Sequence, residues 1–476
     1  MIDNNLTIGV FGIGLDVYWE QFEVLKTSLE GYLDTLCGKF SGQNARVVNG
    51  GIVDTIDKAF ETGKTFRRED VGLVFLYVGT YALSSTVLPV VQKLNAPVVV
   101  LNLSPAAQID YNSFNDLKDR TLMTGEWLKY CSACPVPEIA NVFQRVGIKF
   151  YQVTGILEND QVVETEITEW IEAAHVTHVM RNNRMGCMGH YYSGMLDIYT
   201  DLTLQLKYFG GHFEHIEVEE LTALKNEVSH ADALKRVEEF REKLDVQDDC
   251  TDAELLRAAR TSVAMDKLVF KYKLGSFAYY YKGTGNADNE DTMSSMILGN
   301  SLLTGNGIPV AGEYEIKNAQ AMKIMDSFRA GGSFTEYYAM DYNDDVVLMG
   351  HDGPGHIAIA EGRTKVRPLK VYHGKVGRGL SVEMAVKNGP ITCLSILEKG
   401  DGELVMLVAE GHTVKGPILQ IGNTNSRYKF PLGARAFVSD WNSHGPAHHC
   451  AVGVGHIASK LDKLSRILGM QMKRVC

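Results

Sequence analysis

The chain opens with short apolar runs separated by longer amphipathic stretches. Residues 6–12 form one such run. An unbroken apolar run of that length predicts a strand buried on both faces of a parallel sheet. Phe22, Leu25, Leu29, Leu33 and Leu36 then recur at helical spacing, which predicts a helix over 19–40. Strands over 46–49, 71–78 and 97–103 alternate with helices over 53–61 and 87–94, and a further helix covers 139–146. This alternation is the signature of a doubly wound α/β sheet. Right-handed crossovers would place the carboxyl ends of its strands along one edge.

A second α/β stretch follows. Strands are expected over 176–180, 215–219 and 277–281, and helices over 231–244, 252–271, 291–303 and 314–328. The second of these helices opens on Asp252 and Glu254, acidic residues suited to a helix start. Beyond residue 330 short strands predominate, over 345–349, 356–360, 366–373, 380–386, 391–397, 403–410, 418–421 and 434–439. Glycine turns separate them, which reads as an antiparallel barrel or sandwich. A helix over 451–468 closes the chain. The expected class is α/β, with two N-terminal doubly wound α/β domains (1–165 and 166–328) followed by a mostly antiparallel, barrel-like β domain (329–476).

Composition narrows the functional classes. Apolar residues make up 45% and charged residues 22% of 476 positions, which excludes a disordered or collagen-like chain. The net charge of −11, with no long basic run, argues against nucleic-acid or anionic-membrane partners. No apolar run approaches the roughly 18 residues of a membrane span. The first residues lack the basic region of a signal peptide. Among eight cysteines only Cys131 and Cys134 form a C-x-x-C, and no second pair completes a zinc ribbon. A reduced, cytoplasmic protein is expected.

Three segments carry candidate chemistry. Gly9-x-x-Gly12-x-Gly14 follows the first strand but departs from the dinucleotide-binding spacing, which disfavours a nicotinamide oxidoreductase. Cys131-Ser-Ala-Cys134 is followed by Pro135 and Pro137, so a pocket-lining or structural pair fits better than a redox helix. The third is dispersed: Gly312-Glu313-Tyr314-Glu315, Ser333-Phe334-Thr335-Glu336, Gly350-His351 and Ala447-His448-His449. Acidic residues at a helix start are often only dipole partners. Here, however, histidines 351, 356, 373, 444, 448 and 449 lie beside glycine or proline downstream. Carboxylates with imidazoles and no thiolate suit a divalent cation with open positions for substrate oxygens.

These segments resemble the L-arabinose isomerase family, within the wider L-arabinose/L-fucose isomerase superfamily. Gly312-Glu313-x-Glu315-x-Lys317 is similar to that family's G-E-G-D-W-K, Phe334-x-Glu336-x-Tyr338 to its F-M-E-D-Y, Gly350-His351 to its G-A-H, and His448-His449 to its paired C-terminal histidines. The resemblance is clearest after about residue 280 and faint in the first 150 residues. It implies a metal-dependent aldose–ketose isomerase, working through a 1,2-enediol or a hydride shift. Glu313, Glu336, His351 and His449 would bind Mn2+, with Mg2+ or Co2+ as substitutes. Glu313 and Glu336 would share the acid and base roles. Glu315, Phe334 and His448 would face the sugar. The resemblance also implies a homohexamer with inter-subunit active sites.

The departures are informative. The family's first-strand Gln falls at about Leu15, its inter-subunit Gln and His at about Cys131 and Cys134, and the Glu after its metal histidine becomes Pro354. Cys131 and Cys134 are thereby expected to contact substrate. A site that discards hydroxyl partners discriminates differently, so the expected sugar is not plain L-arabinose. Arg181 and Arg184, after an expected strand, stand either near an anionic group on the sugar or in a solvated loop. The competing class is a catalytically inactive sugar-binding or sensing homologue.

Overall fold

The computed structural model describes residues 6–40, 45–369 and 378–476. It divides into two compact units, with the boundary between His178 and Val179.

The first unit carries β1 (Leu6–Ile13), β2 (Ala45–Val53), β3 (Leu73–Tyr77), β4 (Val98–Ser104) and β5 (Phe150–Ile156). They form one sheet in the order β2-β1-β3-β4-β5, parallel at each pairing. Each residue of β1 and β3 is buried, as the apolar runs require. The helix Glu23–Phe40 buries Leu25, Leu29, Leu33, Leu36 and Phe40. Cutting one such leucine back to alanine costs about 2–5 kcal/mol, through lost transfer energy and the cavity left behind. Strand order reverses at β1 and β3, the place where doubly wound sheets leave a crevice at their carboxyl edge.

The second unit carries the remaining strands: β6 (Arg184–Gly189), β7 (His212–Ile216), β8 (Asp245–Val246), β9 (Ser276–Tyr280), β10 (Val310–Ala311), β11 (Gly331–Asp341), β12 (Val346–His351), β13 (Lys365–Leu369), β14 (Gly379–Glu383), β15 (Gly389–Glu398), β16 (Leu404–Thr413), β17 (Thr424–Lys429), β18 (His449–Val454) and β19 (Gln471–Arg474). Strands β10-β9-β6-β7 make a second parallel sheet. Strands β15-β18-β11-β12-β17-β16 run antiparallel, and β16 pairs back onto β15, so the sheet closes into a six-stranded barrel with β19 added alongside β16. Closure removes free edges. β8, β13 and β14 form a small separate sheet. The expected class, α/β with parallel sheets followed by an antiparallel barrel, is the observed one.

Several elements differ from the sequence expectation. Residues 176–180, with the β-branched Val176, Thr177 and Val179, resemble a strand, yet they lie in the last turns of the long helix Gln161–Asn182. Val163, Ile167, Trp170, Ile171 and Ala174 are buried along it at helical spacing, and that burial overrides local propensity. The expected strand over 434–439 is the helix Ala434–Ser443, which buries Ala434, Phe437 and Trp441 on one face. Residues 356–360 form only the 3-10 turn Ile357–Ile359. Residues 418–421 are irregular. The closing helix begins at Ala458, because residues 449–454 are strand β18. The expected strand over 366–373 is observed only to Leu369; its remainder, with His373, lies outside the described residues. Among the described residues, no helix is long and apolar enough to cross a membrane.

Candidate metal centre

Register explains how residues far apart in sequence meet. In the barrel, β11 lies between β18 and β12. Glu336 sits directly opposite His449 on β18 and opposite Gly350 on β12, and His351 is the next residue. Three adjacent strands thus deliver one carboxylate and two imidazoles to one end of the barrel. The close approach of β12 and β17 depends on Gly350. A Cβ there would lie 1.9 Å from the Thr424 carbonyl oxygen.

Glu313 arrives from the parallel sheet of the same unit. It follows β10 in the turn that leads to the helix Ile316–Ser327. Glu313 and Tyr314 both adopt left-handed backbone, with φ of 59° and 61°. Such conformations cost roughly 1–3 kcal/mol each for residues with a Cβ, so the surroundings must hold them. The Tyr314 N–H donates to the Tyr279 carbonyl (3.0 Å), the Tyr192 N–H donates to the Glu313 carbonyl (3.2 Å), and the Glu315 N–H donates to the Gly312 carbonyl (3.0 Å). The Tyr314 ring packs edge-on against Tyr191, with centroids 4.9 Å apart.

The donor atoms converge. His449 Nε2 lies 3.2 Å from His351 Nε2 and 3.4 Å from Glu313 Oε2. His448 Nε2 lies 3.8 Å from Glu313 Oε2 and 4.0 Å from Glu336 Oε2. Two overlapping groups result, Glu313–His448–His449 and Glu336–His351–His449, each with its ligand atoms within 4.8 Å of one another.

The hydrogen bonds on the far side of each ring fix what these nitrogens present. His351 Nδ1 faces the Asp352 carbonyl at 2.5 Å. A carbonyl only accepts, so Nδ1 carries the hydrogen and Nε2 of the neutral ring carries a lone pair. Behind His449, Nδ1 is hydrogen-bonded to Glu315. When that carboxylate accepts, the His449 Nε2 lone pair confronts the one on His351. A shared proton or a cation resolves that repulsion, and the two glutamates beside it supply the negative charge a divalent cation requires. Burial holds the His449 pKa well below the usual histidine range, with the neighbouring His448 adding to the effect. The ring is therefore neutral and competent as a ligand. A carboxylate behind a ligating imidazole is a recurrent support of metal sites.

The other expected site residues fall in varied places. Phe334 is buried, and its ring packs against His351 (4.5 Å between centroids) and His449 (4.3 Å); it walls the imidazoles. Glu315, expected to face the sugar, is 1% exposed and supports His449 instead. Burial pushes its pKa up to about 8. His448 borders a cavity of about 340 Å³ lined also by Asp197, Glu336, Tyr337, Trp441 and Asn442. Burial lowers the His448 pKa, but its bond to Asp197 and the charges of Asp197, Glu315 and Glu313 together outweigh this and leave it raised.

Cys131 (buried) and Cys134 (exposed) belong to the first unit, in the turn between the helices Arg120–Leu128 and Val136–Val146. Burial, reinforced by Cys134, pushes the Cys131 thiol up to about 11. Arg181 ends the helix Gln161–Asn182 and Arg184 begins β6. Both therefore stand at the amino end of β6, whereas Glu313 follows the carboxyl end of the parallel β10. Within this chain they lie at the opposite strand end of that sheet from Glu313.

Sequence reading missed Asp197. It lies in the connection after β6, a strand obscured by the misplaced strand over 176–180. Its only sequence signal would have been its place after a parallel strand's carboxyl end.

No family model matches the chain. An L-arabinose isomerase of Nocardioides sp. (strain ATCC BAA-499 / JS614) is 24% identical over 356 residues, covering 70% of this chain and 68% of that protein. The similarity to an L-arabinose isomerase thus extends over most of the chain.

Proposed function

We propose that this chain is a cytoplasmic, metal-dependent aldose–ketose isomerase. The observation that supports this most is the facing pair of imidazole nitrogens on His351 and His449, flanked by Glu313 and Glu336. Those four residues would hold the cation, with Mn2+ as the first choice and Mg2+ or Co2+ as substitutes. When bound, it would polarise the sugar carbonyl and acidify the neighbouring hydroxyl.

The chain's own groups would do the rest. One of the two glutamates removes the proton from C2 of the aldose and returns it to C1, leaving a ketose of the same composition; the other moves the proton between O1 and O2. A direct hydride shift from C2 to C1 gives the same product from the same residues. His448 faces the cavity and would accept a hydrogen bond from a sugar hydroxyl. Phe334 would hold the two imidazoles apart from water. Cys131 and Cys134, in place of the family's polar pair, would contact the sugar from the first unit of a neighbouring subunit in a homohexamer. We retain the division into 1–165, 166–328 and 329–476 as part of this reading.

The test is removal of metal by chelation, followed by separate restoration with Mn2+, Mg2+, Co2+ or Zn2+. Ketose formation would be followed on pentoses, 6-deoxyhexoses, hexoses and 6-substituted anionic hexoses. Turnover that disappears with chelation and returns with Mn2+ is expected. Tight Mn2+ binding with no turnover across the panel would overturn the isomerase reading in favour of a sugar-binding homologue.

A further inference from the structure

The connection that follows β6 touches both sources of the candidate centre. Its Tyr192 N–H donates to the Glu313 carbonyl. Five residues on, Asp197 reaches the start of β18. One carboxylate oxygen, Oδ2, accepts the His448 backbone N–H at 2.9 Å and lies 2.6 Å from His448 Nδ1. The Asp197 carbonyl in turn accepts from the Lys317 ammonium at 2.5 Å, and neighbouring Ile198 is fully buried. The Asp197 backbone is thus held by the helix Ile316–Ser327, and its carboxylate is bonded to a single imidazole.

We propose that Asp197 is the positioning residue for His448. This rests on the isomerase reading above. The carboxylate accepts from Nδ1–H, which fixes the tautomer. In the neutral ring it thereby leaves the Nε2 lone pair facing the cavity, 3.8–4.0 Å from the two glutamates. That separation exceeds a hydrogen bond, so Nε2 is available to a sugar hydroxyl placed between imidazole and carboxylates. Without Asp197 the ring is free to rotate and to carry its hydrogen on Nε2, where it would present a donor instead of an acceptor. His449, one residue on, is held by Glu315, so the two imidazoles of the pair have separate supports and separate tasks.

The experiment uses full-length chain with 15N-labelled histidine, comparing parent, Asp197→Ala and Asp197→Asn; the conservative variant serves if the alanine form does not fold. Three readouts are taken: the His448 ring tautomer from 15N–1H couplings, Mn2+ affinity by calorimetry, and kcat/KM on the best aldose of the panel. In Asp197→Ala, His448 should shift from Nδ1–H toward Nε2–H, Mn2+ affinity should stay within threefold, and kcat/KM should fall 10- to 100-fold. Asp197→Asn, which keeps an acceptor oxygen, should lie between. An unchanged tautomer overturns the proposal, as does a kcat/KM within threefold of the parent. So does a fall in Mn2+ affinity matching the fall in kcat/KM, because Asp197 would then be supporting β18 as a whole. If the parent converts no aldose, the isomerase reading fails, while the tautomer shift still decides whether Asp197 orients His448.

Discussion

Glu315 stands directly behind His449, its carboxylate hydrogen-bonded to Nδ1 and sealed from solvent. A buried carboxylate is costly, so burial favours the protonated form of Glu315, and in either form its bond to Nδ1 holds one imidazole in one orientation. Glu315→Ala should therefore leave the fold intact and weaken Mn2+ binding by roughly 10- to 100-fold, the usual loss when such a support is removed. Calorimetric titration checks this. An unchanged affinity would remove Glu315 from the metal site.

Glu313 has a different position, on the open side of the same imidazole at 3.4 Å from Nε2. Glu313→Gln keeps the side chain's size while removing its charge and basicity. Turnover should drop by about 10²–10⁴-fold, the range associated with loss of an acid–base group, and Mn2+ affinity should fall with it. Steady-state rates beside metal titrations test both. Near-parent activity would exclude Glu313 from the chemistry.

Cys131 and Cys134 should act on sugar affinity alone. A double Cys131→Ser, Cys134→Ser variant is expected to raise or lower KM while Mn2+ affinity stays constant. Loss of metal in that variant would put the cysteines among the ligands and break the proposed set. The raised Cys131 pKa keeps that residue a neutral thiol at neutral pH, so Cys131 has no thiolate for serine to replace there.

Lys323 offers a pH test away from the metal centre. Its side chain is largely buried, and its ammonium donates to the Gly307 carbonyl at 2.8 Å and lies 3.9 Å from Asp326. Burial lowers its pKa below the ordinary 10.5, against the pull of Asp326. Between that lowered value and 10.5 the unfolded chain binds more protons than the folded one, so this group's contribution to stability rises with pH. Urea unfolding at a series of pH values should show the parent gaining on Lys323→Met as pH increases through that window. A difference independent of pH would mean that Lys323 is fully charged in the fold.

Much of the architecture was legible because it rests on burial. The apolar runs at β1, β3 and β4 and the leucine stripe of Glu23–Phe40 mark their elements directly. The failures have physical causes. Val176, Thr177 and Val179 favour a strand locally but belong to a helix that long-range packing stabilises, and Ala434, Phe437 and Trp441 carry a helical stripe among strand-like neighbours. At the site, residue types were legible and their tasks were not. Glu313, Glu336, His351 and His449 converge, yet nothing in the spacing tells that Glu315 points inward behind an imidazole. Nor does it tell that Asp197, more than a hundred residues before Glu313, reaches His448.

The closed barrel has a consequence for how such a site can change. Glu336, His351 and His449 are fixed by three neighbouring strands of a ring in which each strand is bonded on both sides. Moving one of them alone would mean breaking ladder bonds with no edge available to take up the slip. Glu313 sits outside the ring, on a turn whose backbone is already under tension. The ring is thus the inheritance that new substrate preferences must leave alone. The cavity walls around Trp441 and Asn442, which supply none of the converging donor atoms, are where variation can be tolerated.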